Sequence, residues 1–515
     1  MIYINMSLCE KCTSFIPPLF WSCRLILSVV SCLGFVCMYS LRFNVVVAMA
    51  CMVDDIEQGH LDADGGTGSI IRPRRCKGKE NLISTVENVT AASSQYTWDK
   101  NIQTAVTGSF FWGYWLTMIP GGWYGGKRFI GWSTFGCGIA TLFIPLAAHI
   151  SYRALIFIRI LLGVFQGVTW PAMYVIWSQW APPLERQKLL ALCFSGSTFG
   201  VVLTYPAVSL LCNFHEEGWT YAFYITGAVT IMWCFLWHYS VYDSPSEHPR
   251  ISKVEKMYIH NSLKKEMPKE THITPWMDIL TSSAVWAYMT AHMTLTFHFF
   301  ALISLSTIYF QDIHYFSKEE AARTVALSYI GFFACCNISA ALYDMAVARK
   351  ICSRTAIRKT GNSIAFLVPA ALLIFVGFLD CNQSSLAVVT MVAINAISGN
   401  QFGAGYFVNL LEIAPQHTGV IYGIANMIAT FSALASLAMI KELTSNRLRS
   451  GWQLTFLVFS AVFVLSSVMF IIFGSGELQE WAKTQEGSKT SITVPRTSND
   501  DKDEIIKKSN CSASV

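Results

Sequence analysis

An arginine lies deep in the first apolar block, in Met38-Tyr39-Ser40-Leu41-Arg42-Phe43-Asn44, too far from the block's ends for its side chain to snorkel to water. A second, Arg159, opens the apolar run RILLGVFQGVTWPAMYVIW, with Gln166 seven residues on. Seven residues are two helical turns, so Arg159 and Gln166 share a face, with Gly163 between them and Trp170 beyond. A guanidinium at the centre of a membrane costs about 2.5–3.5 kcal/mol on insertion scales, so it faces a protein interior or a watery cavity. With no acid beside it, Arg42 suits a carboxylate or phosphate, and Arg159 does so more weakly. The competing structural role for each is a pairing with a backbone carbonyl or a distant acid. Tyr39 beside Arg42 is a gating or coupling candidate, and Tyr114 in Phe110-Phe111-Trp112-Gly113-Tyr114 offers a hydroxyl to a ligand.

Further polar residues interrupt later blocks. Asn395, Gly399, Phe402, Tyr406 and Asn409 recur at spacings of four, three, four and three, which predicts one small and polar helical stripe. Such a stripe faces a cavity or forms a helix–helix seam. Glu412 falls one turn before the end of that block and suits a gate or a structural ion pair. His292 and His298 are six apart and do not share a face; either titrates near neutral pH, with hydrogen-bonded packing as the alternative, and His298 is the candidate for coupling. No P-loop, GxSxG or HExxH run is present, so nothing points to an enzyme. His, Asp and Glu do not cluster at metal-ligand spacing, and Cys9/Cys12 is a lone CxxC, so neither a metal nor a cofactor is expected beyond a coupling ion, sodium or proton.

The elements that position these residues are membrane spans. Of 515 residues, 53% are hydrophobic and 13% charged, against about 25% charged in soluble domains. The net charge of +5 does not suggest nucleic acid. The apolar residues come in blocks of span length. Residues 1–23 form a cytoplasmic lead and 24–52 a retained first span; a polar loop over 53–100 follows. Five more blocks run near 102–124, 129–151, 154–179, 188–212 and 219–241 and complete a first six-helix bundle, 24–241. A basic cytoplasmic segment, 242–283, precedes a second bundle, 284–474, and 475–515 reads as a disordered cytoplasmic tail. The fold class is all-α and integral to the membrane, with about twelve spans in two six-helix halves.

Lys127, Arg128, Arg186, Lys188, Arg349, Lys350, Arg354, Arg358 and Lys359 fall on one side and predict a cytoplasmic face with both termini there. The sequon Asn88-Val89-Thr90 lies on the other side, where Asn88 is a glycosylation candidate. Most of the sixteen cysteines are small hydrophobes in apolar blocks, but Cys76, Cys212 and Cys381 fall on the non-cytoplasmic side, where an oxidised pair can form. A weak internal repeat also exists. Trp180-Ala181-Pro182 and Ile413-Ala414-Pro415 each end a block, and glycine-spaced helices follow, with Gly196 and Gly200 in one half and Gly419 and Gly423 in the other. Repeated halves of this kind build the major facilitator fold.

These motifs resemble the anion:cation symporter branch of the major facilitator superfamily, the group that includes sialin, the vesicular glutamate transporters and the sodium–phosphate cotransporters. The resemblance covers nearly all of 25–482. It is carried by Tyr39, Arg42 and Asn44, by FFWGY at 110–114 with PGG at 120–122, by WAPPLER at 180–186, by Asn409 with Glu412-Ile413-Ala414-Pro415, and by Gly474-Ser475-Gly476-Glu477. It implies alternating access and small organic or inorganic anions as substrates, with Arg42 as the main anion-binding residue and Arg159 assisting. It also implies coupling to sodium, protons or membrane potential. Gln166 stands where sialin-like members have an acid, so sodium or potential is favoured over a proton. The histidine and arginine of vesicular glutamate transporters are replaced by Thr107 and Leu295.

The expected function is therefore a secondary anion transporter in which Arg42, Arg159, Tyr114, Gln166 and Asn409 contact the substrate, working as a monomer in the lipid bilayer of a plasma or endolysosomal/vesicle membrane. The alternative is a receptor or scaffold that kept the fold and lost turnover.

Overall fold

Apolar blocks of this length satisfy their backbone only as helices when water is excluded. The computed structural model describes residues 16–53, 95–214, 217–264, 274–444 and 449–483. Asn88, Cys76 and most of the 53–100 loop lie outside the described residues, as does the tail beyond Lys483. In chain order, α1 (Cys23–Met52), α2 (Lys100–Tyr114), α3 (Met118–Trp123), α4 (Lys127–Leu142), α5 (Ile144–Ile150), α6 (Tyr152–Gly167), α7 (Thr169–Trp180), α8 (Arg186–Phe214) and α9 (Gly218–Ser240) come first. The central segment holds α10 (Lys253–Lys264) and α11 (Trp276–Thr281). Then follow α12 (Ser283–Asp312), α13 (Lys318–Ala348), α14 (Arg354–Gly377), α15 (Ser384–Ser398), α16 (Asn400–Gly403), α17 (Leu410–Ile413), α18 (Thr418–Leu443) and α19 (Arg449–Phe473). Short polar residues start several of them. Ser22 caps α1 by accepting from the Leu25 amide at 3.2 Å, Asp99 caps α2, and Ser317 with Glu320 forms a capping box on α13.

Among the described residues, nine helical runs are long and apolar enough to cross a membrane, and two bent pairs raise this to eleven. The block expected at 102–124 is α2 and α3, divided by a 3-10 turn at Trp115–Thr117.

The same packing occurs twice. In the first half α1 lies on α8, α2 on α6, and α4 on α9; in the second α12 lies on α18, α13 on α15, and α14 on α19. The halves meet where α8 packs on α13 and α3 on α18. Glycine permits both the first pairing and the last. A Cβ on Gly200 would stand 2.8 Å from the Val36 carbonyl of α1, and one on Gly423 would stand 2.7 Å from the Met118 carbonyl of α3.

Two details differ from the sequence expectation. The polar stripe drawn through Asn395 and Asn409 does not exist as one helical face, because helix ends at Gly403 and the chain runs irregularly to Asn409. The freed backbone finds other partners: Arg358 donates to the Ala404 and Gly405 carbonyls at 3.3 and 2.9 Å, and Phe407 N bonds Gln401 O. Irregular backbone at this depth requires such partners. The second difference is Cys51, at the end of α1, which is disulfide-bonded to Cys212, 161 residues away; Cys381 is disulfide-bonded as well.

The central segment is tied to the bundle. Glu255 of α10 accepts from the Cys23 and Arg24 amides, both at 3.1 Å, and from Arg24 Nη1 at 3.0 Å. Arg24, fully buried, donates from Nε to Glu185 at 2.7 Å. This end of the bundle also carries Lys127 and Arg186 and is its basic end.

Candidate functional site

Between the halves lies a cavity of ≈ 60 Å³. A water needs about 10–15 Å³ by this measure, so the cavity holds a few waters, and its walls must part before a larger solute enters. Tyr39 and Arg42 of α1, Phe111 and Tyr114 of α2, Trp170 of α7 and Ser197 of α8 line it from the first half. Across from them stand His292, Leu295, Thr296, Phe299 and Phe300 of α12, Phe402 and Phe407 near the break, and Tyr422, Asn426 and Thr430 of α18.

Among the described residues, Arg42 is the only cation on this lining and no carboxylate lines it. Its Nε donates to Gln166 Oε1 at 2.8 Å, and Gln166 Nε2 donates to the Met38 carbonyl at 2.7 Å. Gln166 thus ties the guanidinium back to its own helix. The rings of Tyr114, Phe110 and Tyr39 lie 4.5, 4.7 and 4.9 Å from Cζ, which orients the fork by cation–π attraction. Nη2 is buried without a hydrogen-bond partner. A buried guanidinium without a counter-charge is costly, and an anion offered to that nitrogen relieves the cost.

The sequence-derived candidates divide here. Tyr39, Arg42 and Tyr114 line the cavity, and Gln166 holds Arg42 from behind. Arg159 is 1% exposed, lies 5.3 Å from the Phe110 ring and does not reach the lining; its Nε and Nη1 have no partner. Asn409 is fully buried away from the cavity with both amide atoms unpartnered. His298 packs edge-on against Phe463 at 5.1 Å, away from the lining. Glu412 pairs with Arg358, Oε2 to Nε at 2.9 Å and Oε1 to Nη2 at 2.8 Å, and accepts from Tyr343 at 2.8 Å. Of the two roles expected for it, this arrangement is the ion pair.

Sequence reasoning missed the wall of α18. Tyr422, Asn426 and Thr430 recur every four residues in an apolar helix, a signal as legible as the one on span ten. His292 joins them, with Nε2 3.1 Å from Asn426 Oδ1 and Nδ1 3.0 Å from the Tyr406 hydroxyl. At the floor, toward the basic end, aromatic rings cross between the halves. Tyr174 stacks on Tyr422 at 4.5 Å and donates to the Phe407 carbonyl at 2.8 Å, while Trp170 stacks on Tyr422 at 5.9 Å. At the opposite end Phe111 meets Phe300 at 5.6 Å and Tyr39 meets Phe299 at 6.4 Å.

A bundle of membrane-spanning helices in two like-packed halves around a central cavity is the architecture of a secondary transporter. The family model of the Major Facilitator Superfamily matches residues 31–437. The chain is 34% identical over 469 residues to sialin of Homo sapiens, covering 90% of this chain and 92% of that one. It is 32% identical over 474 residues to vesicular glutamate transporter 1 of Bos taurus, covering 90% and 79%. The solved structure of the proton:xylose symporter XylE superposes with a TM-score of 0.58 at 14% identity, covering 88% and 97%, a likeness of fold alone. The chain belongs to the major facilitator superfamily, in its anion:cation symporter branch. It is a multi-pass membrane protein, and its relatives are transporters rather than enzymes.

Proposed function

We propose that this protein carries small organic or inorganic anions across a membrane by alternating access, with Arg42 as the residue that holds the anionic group. One observation carries this reading: Arg42 is the cavity's sole lining cation, has no carboxylate partner among the described residues and keeps a buried Nη2 unpartnered. Gln166 positions the guanidinium, Tyr114 and Tyr39 flank it, and Arg159 adds positive potential from behind Phe110. Because Gln166 has no proton to exchange, sodium or membrane potential drives the cycle. The basic end faces the cytoplasm together with both termini, and the transporting unit is one chain in a plasma or endolysosomal/vesicle membrane. Relatives named sialin and vesicular glutamate transporter lend support to an anionic substrate.

The test is uptake of labelled phosphate, urate, glutamate and sialic acid into proteoliposomes, with sodium, pH and membrane potential varied separately. Arg42→Ala is expected to abolish uptake of whichever anion moves. Undiminished anion flux in that variant overturns the proposal.

A further inference from the structure

The cavity has two poles, and only one of them is charged. We infer that it selects a flat, singly charged organic anion bearing a neutral hydrogen-bonding group away from its charge, with Arg42 reading the charge and Asn426, positioned by His292, reading that second group. This rests on the anion-binding role proposed for Arg42 and adds the shape and charge count of the solute.

The first support is the number of charges on the lining. Among the described residues it offers one guanidinium and no carboxylate. A dianion brings a second charge with no partner, and a zwitterion brings an ammonium with none, and an unpaired buried charge is strongly disfavoured. The second support is the wall between the poles. The ring pairs Phe111–Phe300, Tyr39–Phe299 and Trp170–Tyr422 present aromatic faces and edges, which match a planar apolar body. A solute covered in hydroxyls would press several of them against ring faces that cannot bond them.

The third support is the neutral pole itself. The tautomer follows from the network. If the Tyr406 hydroxyl donates to His292 Nδ1, then Nε2 carries the ring hydrogen and donates to Asn426 Oδ1. Both ring nitrogens are then occupied by neutral partners. The Asn426 amide group is left pointing its Nδ2 at the Tyr114 hydroxyl, a long bond of 3.3 Å, and at Met118 Sδ, 3.6 Å away. Those two weak partners are readily exchanged for a ligand oxygen. Tyr114 touches both poles, with its ring 4.5 Å from Arg42 Cζ and its hydroxyl at Asn426 Nδ2.

The experiment uses the full-length protein in proteoliposomes, with radiolabelled 4-hydroxybenzoate as the probe and competition by benzoate, 4-hydroxybenzyl alcohol, glutamate and sialic acid. Saturable uptake of the probe is expected, with benzoate competing about tenfold more weakly because it leaves the Asn426 pole unpaired. Glutamate, sialic acid and the uncharged alcohol should compete weakly or not at all. In Asn426→Leu the ratio between 4-hydroxybenzoate and benzoate should fall toward one, whatever the absolute rate. If that variant does not fold, the wild-type ratio alone decides, and a ratio near one overturns the inference. Arg42-dependent uptake of glutamate or sialic acid that aromatic acids fail to inhibit also overturns it while leaving the anion-carrier reading intact. If no anion shows Arg42-dependent uptake, both fall.

Discussion

Arg42 is held at one nitrogen and unpartnered at another, and that asymmetry separates its two neighbours in function. Gln166 fixes Nε, while Nη2 is buried without a hydrogen-bond partner. Arg42→Lys keeps the charge but loses the fork and the Gln166 tether. With a charge-assisted bond worth about 1.5–3 kcal/mol, uptake of the transported anion is expected to fall about 10- to 100-fold, read as an increase in half-saturating concentration. Gln166→Glu acts in another way. Its carboxylate would sit where Gln166 Oε1 now accepts from Nε, 2.8 Å away, and would compete with the solute for the guanidinium. Protonation removes that competitor, so uptake in this variant should rise as pH falls, whereas the parent has no such group at that position. A flat pH profile in the variant would show that this position does not communicate with the site. Arg42 was legible in the sequence because a guanidinium inside an apolar block is an anomaly with few explanations. Asn426 and His292 were harder to find, since amide and imidazole groups in apolar helices are commonly satisfied by packing, and only the three-dimensional pairing between α12 and α18 aims them at the same space as Arg42.

At the scale of elements, the break after Gly403 is where a periodic reading of the sequence fails. Spacings of three and four persist through Asn409, yet the backbone leaves the helix, because a distant arginine supplies the donors that the helix would otherwise supply. Arg358 bonds the carbonyls of Ala404 and Gly405 and also pairs with Glu412, and no local pattern announces that. The spans themselves and the glycine-spaced crossings were legible, since they depend on composition and short spacing alone. The break can be tested through its ion pair. Glu412→Leu leaves the Arg358 charge, 1% exposed, without its carboxylate and is expected to destabilise the protein by about 3–5 kcal/mol, measured by thermal denaturation in detergent. The double variant Arg358→Met/Glu412→Leu removes the stranded charge but also strips two carbonyls of their donor. It should recover part of the loss and remain below the parent by about 1–3 kcal/mol. A double variant less stable than Glu412→Leu alone would mean that the arginine serves mainly the backbone and not the acid.

Among the described residues, the polar bonds between the halves other than Asn426–Tyr114 beside the cavity gather at the basic end, and this fixes which side of the cavity is shut. Gln187 Nε2 bonds the Phe402 carbonyl, Arg186 Nη1 bonds Leu411 O at 3.3 Å, and Tyr174 bonds Phe407 O. The joint that depends most on a single side chain is Asp344 of α13. Its carboxylate accepts from the Gln187 and Lys188 amides at 3.3 and 2.9 Å, so an acid from one half caps the first turn of α8 in the other. Amides in a first helical turn have no partner within their own helix, and a negative charge there also meets the positive end of the helix dipole. For a carrier that alternates, this bond must break each time the basic end opens, and its strength therefore biases the two states. Asp344→Asn keeps the size and an acceptor oxygen but removes the charge, at a cost of about 1 kcal/mol or more to the closed state alone. A change of one or two kcal/mol alters a two-state ratio about 5- to 30-fold. Thr418, 1% exposed at the start of α18, reports that ratio when replaced by cysteine, because a thiol there reacts only when the basic end parts. Alkylation of Thr418→Cys should accelerate by that factor when Asp344→Asn is added, and bound substrate should modulate the rate in both backgrounds. An unchanged rate would mean that the aromatic floor of Trp170, Tyr174 and Tyr422, and not the Asp344 cap, holds the two halves shut.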